Sequence, residues 1–337
     1  MAGRKVVVVT GASAGIGRAT VREFARAGAD IALLARGREG LEATAHEVEA
    51  MGGRALAVPT DVADAEAIER AASRIEAELG PIDIWINNAF AGIFSPFMDM
   101  TAEEYRRVTE VTYFGQVNGT RAALKRMRPR DRGAIVLVGS ALAYRGIPLQ
   151  SAYCGAKHAI QGFLDSVRSE LLHDGSRISL TMVQLPGVNT PQFDWVRAHV
   201  PGTPRPTGAI YQPEVAARAI RFAAHVRRKE VIVGLPAYQA IWADKIASPL
   251  LDRYLGATGY DSQQDPQPIS PDRKDNLFEP VPGDHGAHGR FDAQAHDARP
   301  LLWATRHRVA LGLGALALAA AGALVGNGSR GQRPALR

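Results

Sequence analysis

Tyr153 and Lys157 stand four residues apart in a stretch of helical period, so one helix face carries both a phenol and an ammonium. A phenol titrates near ~10 in water, and an adjacent cation favours its ionised form. Such a pair can trade a proton with an alcohol or carbonyl oxygen near neutral pH, which is general acid/base chemistry. Ser140 lies thirteen residues before Tyr153 and places a hydroxyl in the same stretch. A tyrosine and a lysine one turn apart are usually surface residues, so the weight of this pair depends on the elements that position it.

Those elements alternate. Lys5–Val9 is a continuous apolar run, the pattern of a strand buried on both faces of a parallel sheet. It leads into Gly11-x-x-x-Gly15-x-Gly17 and a helix pattern. Glycines there let the backbone approach a pyrophosphate, while free N–H groups and the helix dipole supply positive potential. Further strand patterns at 31–35, 55–58, 82–86, 134–138, 178–184 and 231–233 alternate with helix patterns at 38–51, 64–79, 102–127, 152–172 and 213–226. The alternation predicts an α/β fold, a doubly wound parallel sheet of Rossmann type with ligands bound at the strand carboxyl ends. The second strand ends Leu33-Leu34-Ala35-Arg36. A site for a free ribose hydroxyl usually presents a carboxylate at this point, whereas a guanidinium can fork onto a 2′-phosphate. Arg36 therefore points to NADP(H) over NAD(H).

The chain has 337 residues, 46% of them hydrophobic, and a net charge of +6 with no basic stripe of the kind that nucleic-acid binding needs. A single cysteine, Cys154, rules out an intramolecular disulfide and a cysteine zinc cage, and suits a reducing cytoplasm. The strand pattern begins by Lys5, which leaves no room for a signal peptide. Residues 184–213 are rich in proline and follow a strand end, as a substrate-covering lid would. Residues 236–255 have an amphipathic pattern that fits a helix docked on the core, a channel wall or a membrane-facing surface. The expected domains are 1–258, a flexible linker at 259–300, and a C-terminal transmembrane anchor with a short basic tail at 301–337. Val309–Val325 carries no charge and would span roughly 26 Å as a helix. His285, His288 and His296 have no periodic scaffold, so no metal site is expected.

Taken in order, these motifs resemble the short-chain dehydrogenase/reductase family over about residues 5 to 235. The likeness rests on Thr10-Gly-x-x-x-Gly-x-Gly17, Asp61-Val62, Asn87-Asn88-Ala89, Ser140, Tyr153-x-x-x-Lys157 and Pro186-Gly187. It implies that Tyr153 is the acid/base, that Lys157 lowers its pKa and binds the nicotinamide ribose, and that Ser140 holds the substrate oxygen. It further implies a phosphate turn of Gly11, Ser13, Gly15, Ile16 and Gly17, with Asp61 and Val62 at the adenine and Asn88 against the cofactor. Pro186 would line the cofactor, Val188 and Thr190 would fix the nicotinamide carboxamide, and hydride would pass between the nicotinamide and the substrate carbon. Pairing of the two long helices into a homo-oligomer is a common habit of the family.

Two positions depart from the pattern. Phe90 stands where the family's Asn-Asn-Ala is followed by glycine, and Thr112 stands where the family has a catalytic asparagine. The Thr112 hydroxyl and carbonyl are the expected remnants of a proton relay behind Lys157. Phe94, Phe97, Tyr144, Phe193 and Trp195 suggest a small hydrophobic alcohol or carbonyl substrate, with Arg145 and Arg197 as candidate carboxylate clamps. The leading expectation is an NADP(H)-dependent oxidoreductase whose cytoplasmic domain is held at a membrane. A nucleotide-binding scaffold or sensor with little turnover, and a tethered interaction module, are the alternatives.

Overall fold

The computed structural model describes residues 4–297. Strand β1 (Val6–Thr10) is buried at every residue, as its unbroken β-branched run requires of a strand covered on both faces. Then follow α1 (Gly15–Ala25), β2 (Asp30–Ala35), α2 (Arg38–Ala50), β3 (Ala55–Pro59), α3 (Ala65–Glu78) and β4 (Ile82–Asn87). The second half runs α4 (Ala102–Thr109), α5 (Gly115–Met127), β5 (Ala134–Val138), α6 (Ser151–His173), β6 (Ser179–Gln184), the short α7 (Gln192–Trp195), α8 (Pro213–Ala223), β7 (Glu230–Ile232) and α9 (Leu235–Thr258). The seven strands pair in the order β7-β6-β5-β4-β1-β2-β3, every pair parallel. Val9 lies between Leu33 on one side and Ile86 on the other. The chain reverses its direction of growth between β1 and β4, which opens the crevice at their carboxyl ends.

The helix expected over 102–127 is interrupted. A capping box at Thr101 and Glu104 starts α4, and a π-turn at Glu110–Phe114 separates it from α5. Such π-turns widen a helix locally and are frequent beside functional sites. In α9 the helix kinks at Ala247, two residues before Pro249, whose ring cannot follow a straight helix. Its apolar residues then divide. Ile241 is buried, whereas Trp242, Ile246, Leu250 and Tyr254 are exposed.

The largest difference from expectation is the stretch foreseen as a flexible linker at 259–300. Through Asp297 it belongs to the same compact unit as the sheet. Gln264–Pro268 forms a strand antiparallel to Gly202–Pro204, and Leu277 and Phe291 are buried. Polar composition without a period suggested solvation, but here the polar groups are spent on contacts with the domain. The lid region at 184–213 carries α7 and several two- or three-residue strands, and packs Phe193, Val196 and Phe291 into a small separate core. The expected membrane anchor at 301–337 lies outside the described residues. Among the described residues, no helix is long and apolar enough to cross a membrane.

Candidate active site

A cavity of about 470 Å³ lies at the carboxyl ends of β1, β4, β5 and β6. Its floor at one end is the glycine turn after β1. Gly11 and Gly15 have φ of +66° and +55°, a region L side chains avoid. A Cβ on Gly17 would lie 1.9 Å from the Gly11 carbonyl oxygen, so this position admits no side chain. Thr10 and Asn88 brace the turn. The Thr10 hydroxyl accepts the N–H groups of Asn88 and Ala89, and the Asn88 side-chain amide donates to the Thr10 carbonyl at 3.0 Å. This cradle of bare backbone fits the phosphates of a dinucleotide.

Ser13, Ile16, Arg36, Asp61, Val62, Asn88, Pro186, Val188 and Thr190 all line the same cavity, together with Gly11 and Gly15. Gly17 does not reach it and serves the packing of α1 against the turn. Arg36 is half-buried and forms no ion pair among the described residues; burial and then the neighbouring Arg107 charge lower its pKa. Its guanidinium donates to the backbone carbonyls of Asn276, Leu277 and Phe278. Arg107, on α4, pairs with Asp61 and donates to the Leu277 carbonyl at 3.1 Å. Nothing in the sequence marked Arg107, whose spacing is that of an ordinary helix-surface residue.

At the other end stand Ser140, Tyr153 and Lys157. Tyr153 and Lys157 share the face of α6 that their spacing predicted, and Ser140 and Tyr153 line the same end of the cavity. Ser140 also accepts the Leu142 N–H at 3.1 Å, which fixes its rotamer at the end of β5. The Lys157 ammonium is 1% exposed and donates to the Val138 carbonyl at 2.7 Å. It lies 5.4 Å from the centre of the Tyr153 ring. The expected lowering of the phenol's pKa is absent here. Burial pushes Tyr153 well up, against the pull of the neighbouring Ser140 hydroxyl, and burial pushes Lys157 down to about 7. The cause is geometric: the ammonium is shut off from water, turned to a carbonyl and over the ring face, while the half-buried phenol stands in the cavity wall. The neutral phenol so favoured is the form that donates a proton.

Other expectations are redirected. The Thr112 hydroxyl donates to the Ala91 carbonyl at 2.8 Å and accepts the Ala91 N–H at 3.0 Å. It clamps the loop after β4 to the π-turn, so the side chain is committed away from Lys157. Phe90 lines the cavity and packs edge-on against Tyr153 at 5.7 Å between ring centres. Neither arginine is free to clamp a substrate carboxylate. Arg145 is held by Asp244 and Asp252 of α9, and Arg197 by Glu104 and Asp275. Burial alone would raise the Glu104 pKa, but the Thr101 N–H, His199 and Arg197 outweigh it and hold it at about 2.

Comparison with known proteins decides the family. The family described as short chain dehydrogenase matches residues 5–200, more than half of the chain. This chain is a short-chain dehydrogenase. Over 283 residues it is 33% identical to the uncharacterized oxidoreductase YxnA of Bacillus subtilis, covering 83% of this chain and 80% of that protein. It is 42% identical over 203 residues to the probable oxidoreductase EphD of Mycobacterium tuberculosis, but spans only 34% of that longer protein. Among solved structures, an alcohol dehydrogenase from Thermococcus sibiricus complexed with 5-hydroxy-NADP superposes with a TM-score of 0.58 at 27% identity, over 68% of this chain and 96% of that one. An NAD+-bound xylitol dehydrogenase superposes with a TM-score of 0.52 at 30% identity, over 55% of this chain and 70% of that one. The short-chain dehydrogenase is thus an oxidoreductase with the fold of enzymes that take nicotinamide dinucleotides.

Proposed function

We propose that this short-chain dehydrogenase moves hydride between NADP(H) and a hydrophobic alcohol or carbonyl compound, with Tyr153 as the acid/base. The observation that carries the reading is the continuity of one cavity from the glycine cradle and Arg36 to Ser140, Tyr153 and Lys157. When bound, the dinucleotide supplies the hydride. The chain's own part is orientation and proton supply. Ser140 and Tyr153 together point two hydroxyl groups at one substrate oxygen, and the neutral Tyr153 gives its proton to that oxygen as a carbonyl is reduced. Lys157 holds the β5 carbonyl and the base of the tyrosine ring, fixing the hydroxyl's direction. Phe90, Phe193, Leu251 and Leu255 give the substrate end an apolar wall, which favours a hydrophobic partner. For Arg36 the argument is charge: a half-buried guanidinium in the cavity wall, hydrogen-bonded to neutral carbonyls and in no ion pair among the described residues, favours an anion such as the 2′-phosphate.

The test is purified protein with NADPH and a panel of aldehydes, ketones and quinones. Turnover on at least one is expected, and Tyr153→Phe should lower kcat by roughly 10²–10⁴-fold while leaving the circular dichroism spectrum unchanged. Tight NADPH binding with no turnover on any member would favour a nucleotide-binding scaffold instead. Attachment to a membrane through 301–337 belongs to the same proposal, resting on the uncharged run Val309–Val325. Cell fractionation of the full chain against a chain ending at 297 tests it, and equal recovery of both in the soluble fraction would refute it.

A further inference from the structure

Residues 273–292 cross the mouth of the cavity and are fastened on both banks. On the β1–β2 bank, Arg36 donates to the Phe278 carbonyl at 2.6 Å, and the buried Arg18 pairs with Asp284. The Gly15 N–H, in the glycine turn itself, donates to the Gly286 carbonyl at 3.1 Å. On the opposite bank, Asn276 N–H donates to the Trp195 carbonyl at 3.0 Å, and His285 packs edge-on against the Trp195 ring at 4.3 Å. Arg273 donates to the Asp194 carbonyl at 2.7 Å, and Asn189 holds the Phe291 N–H at 3.1 Å. Between the two banks Leu277 is fully buried in the main core. The cavity continues beneath this crossing. Asn276, Pro280, Val281, Gly283 and His285 form one wall of it, facing the residues of the glycine turn.

We propose that residues 276–285 are a further wall of the dinucleotide site and a lid that must lift for the cofactor to enter or leave. This rests on the reading of the cavity as a dinucleotide site. In an open α/β sheet the crevice at the switch point is reached directly from solvent. Here that route is roofed, while the space beneath is kept. The lid and a 2′-phosphate can share Arg36, because a guanidinium has five N–H donors and the three lid carbonyls take three of them. Opening breaks fasteners on two banks together, so exchange of the dinucleotide is slow and limits turnover.

A Cβ on Gly37 would lie 3.6 Å from the Pro280 Cβ, inside the ~3.5–4.5 Å range of a disulfide. The double variant Gly37→Cys, Pro280→Cys therefore gives a reversible latch, and the one native cysteine, Cys154, is buried. The reduced variant is loaded with NADPH (or NADH), oxidised, desalted, and read by nicotinamide fluorescence before and after dithiothreitol. We expect the oxidised, loaded protein to keep its cofactor through desalting, the protein oxidised while empty to take up none, and reduction to restore exchange in both. Equal uptake and release by the oxidised and reduced forms would overturn the lid. So would a cross-link that forms only in the empty protein, since the segment would then be displaced by the cofactor. Unsubstituted protein that binds neither dinucleotide refutes the cofactor reading itself. Independently of the cross-link, Asp284→Ala unpins the lid from Arg18 and should speed NADPH release several-fold in stopped-flow displacement; an unchanged rate counts against the lid.

Discussion

The floor and the roof of this cavity are built on different physics. The floor is regular: apolar strands buried at nearly every residue, a glycine turn with no space for a side chain, and a helix that carries Tyr153 and Lys157 on one face. The roof at 273–292 has no strand or helix. Arginines grip its carbonyls and carboxylates, and Leu277 and Phe291 are its main buried anchors. Close packing tolerates almost no change of volume, whereas charge-assisted bonds at a half-exposed edge respond to salt and to pH. The floor should therefore fail all at once, and the roof by degrees.

The comparison breaks first at Gly17. Gly17→Ala places a methyl against the backbone of Gly11, which cannot move as a side chain can, so a loss of roughly 3 kcal/mol or more is expected. Urea denaturation measures it, and a loss under 1 kcal/mol would mean that the turn is softer than its geometry implies.

Lys157 tests the floor from the opposite direction. Its pKa falls from 10.5 to about 7 on folding, so the unfolded chain holds more protons between those values. Stability of the cofactor-free protein should then rise with pH through that window. Below pH 7 the penalty for the buried charge is complete. Lys157→Met should abolish turnover yet stabilise the protein below pH 7, by about 2 kcal/mol, with the gain fading towards pH 10.5. Thermal melts across pH 6–10 read this, and a variant less stable than its parent at pH 6 would contradict it.

Arg36 belongs to both regions. Arg36→Ala should weaken NADPH binding by about 10- to 100-fold, as expected for a charge-assisted bond, and NADH binding much less. Titration of both cofactors gives the ratio, and equal losses would remove the 2′-phosphate assignment. The smallest effect is on the roof alone. Raising NaCl from about 0.05 to 1 M screens the exposed ends of Arg18–Asp284, Arg290–Asp194 and Arg290–Asp265. Limited proteolysis within 270–292 should accelerate several-fold while the melting temperature hardly moves.

The same contrast explains what the sequence could be read for. Val6–Thr10 and the glycines after it carry their reasons locally, in a β-branched run and in positions that exclude a Cβ. The alternation of strand and helix followed, and with it the cavity residues from Gly11 to Thr190 except Gly17, which packs behind the turn. The roof has no local signal. Arg36 meets Phe278 across 242 residues, and the groups it grips are backbone carbonyls, which every residue possesses. Arg145 and Arg197 looked available for the same reason, since the aspartates that neutralise them lie about 80 to 107 residues further on. Thr112 could be placed from its motif, but only the folded loop shows its hydroxyl clamped to Ala91. Helix α6 gave the right face for Tyr153 and Lys157, though not the rotation of the ammonium towards Val138.

The grip of Arg36 on three successive peptide carbonyls has one more consequence. A bond to a carbonyl is indifferent to the side chain beside it. Position 276 can therefore change identity over evolutionary time without loosening the clasp, provided the backbone path, the buried Leu277 and the Phe278 ring packed beside it survive. Divergence in such a segment is cheap, so two descendants could preserve the same closure while sharing almost no letters across it.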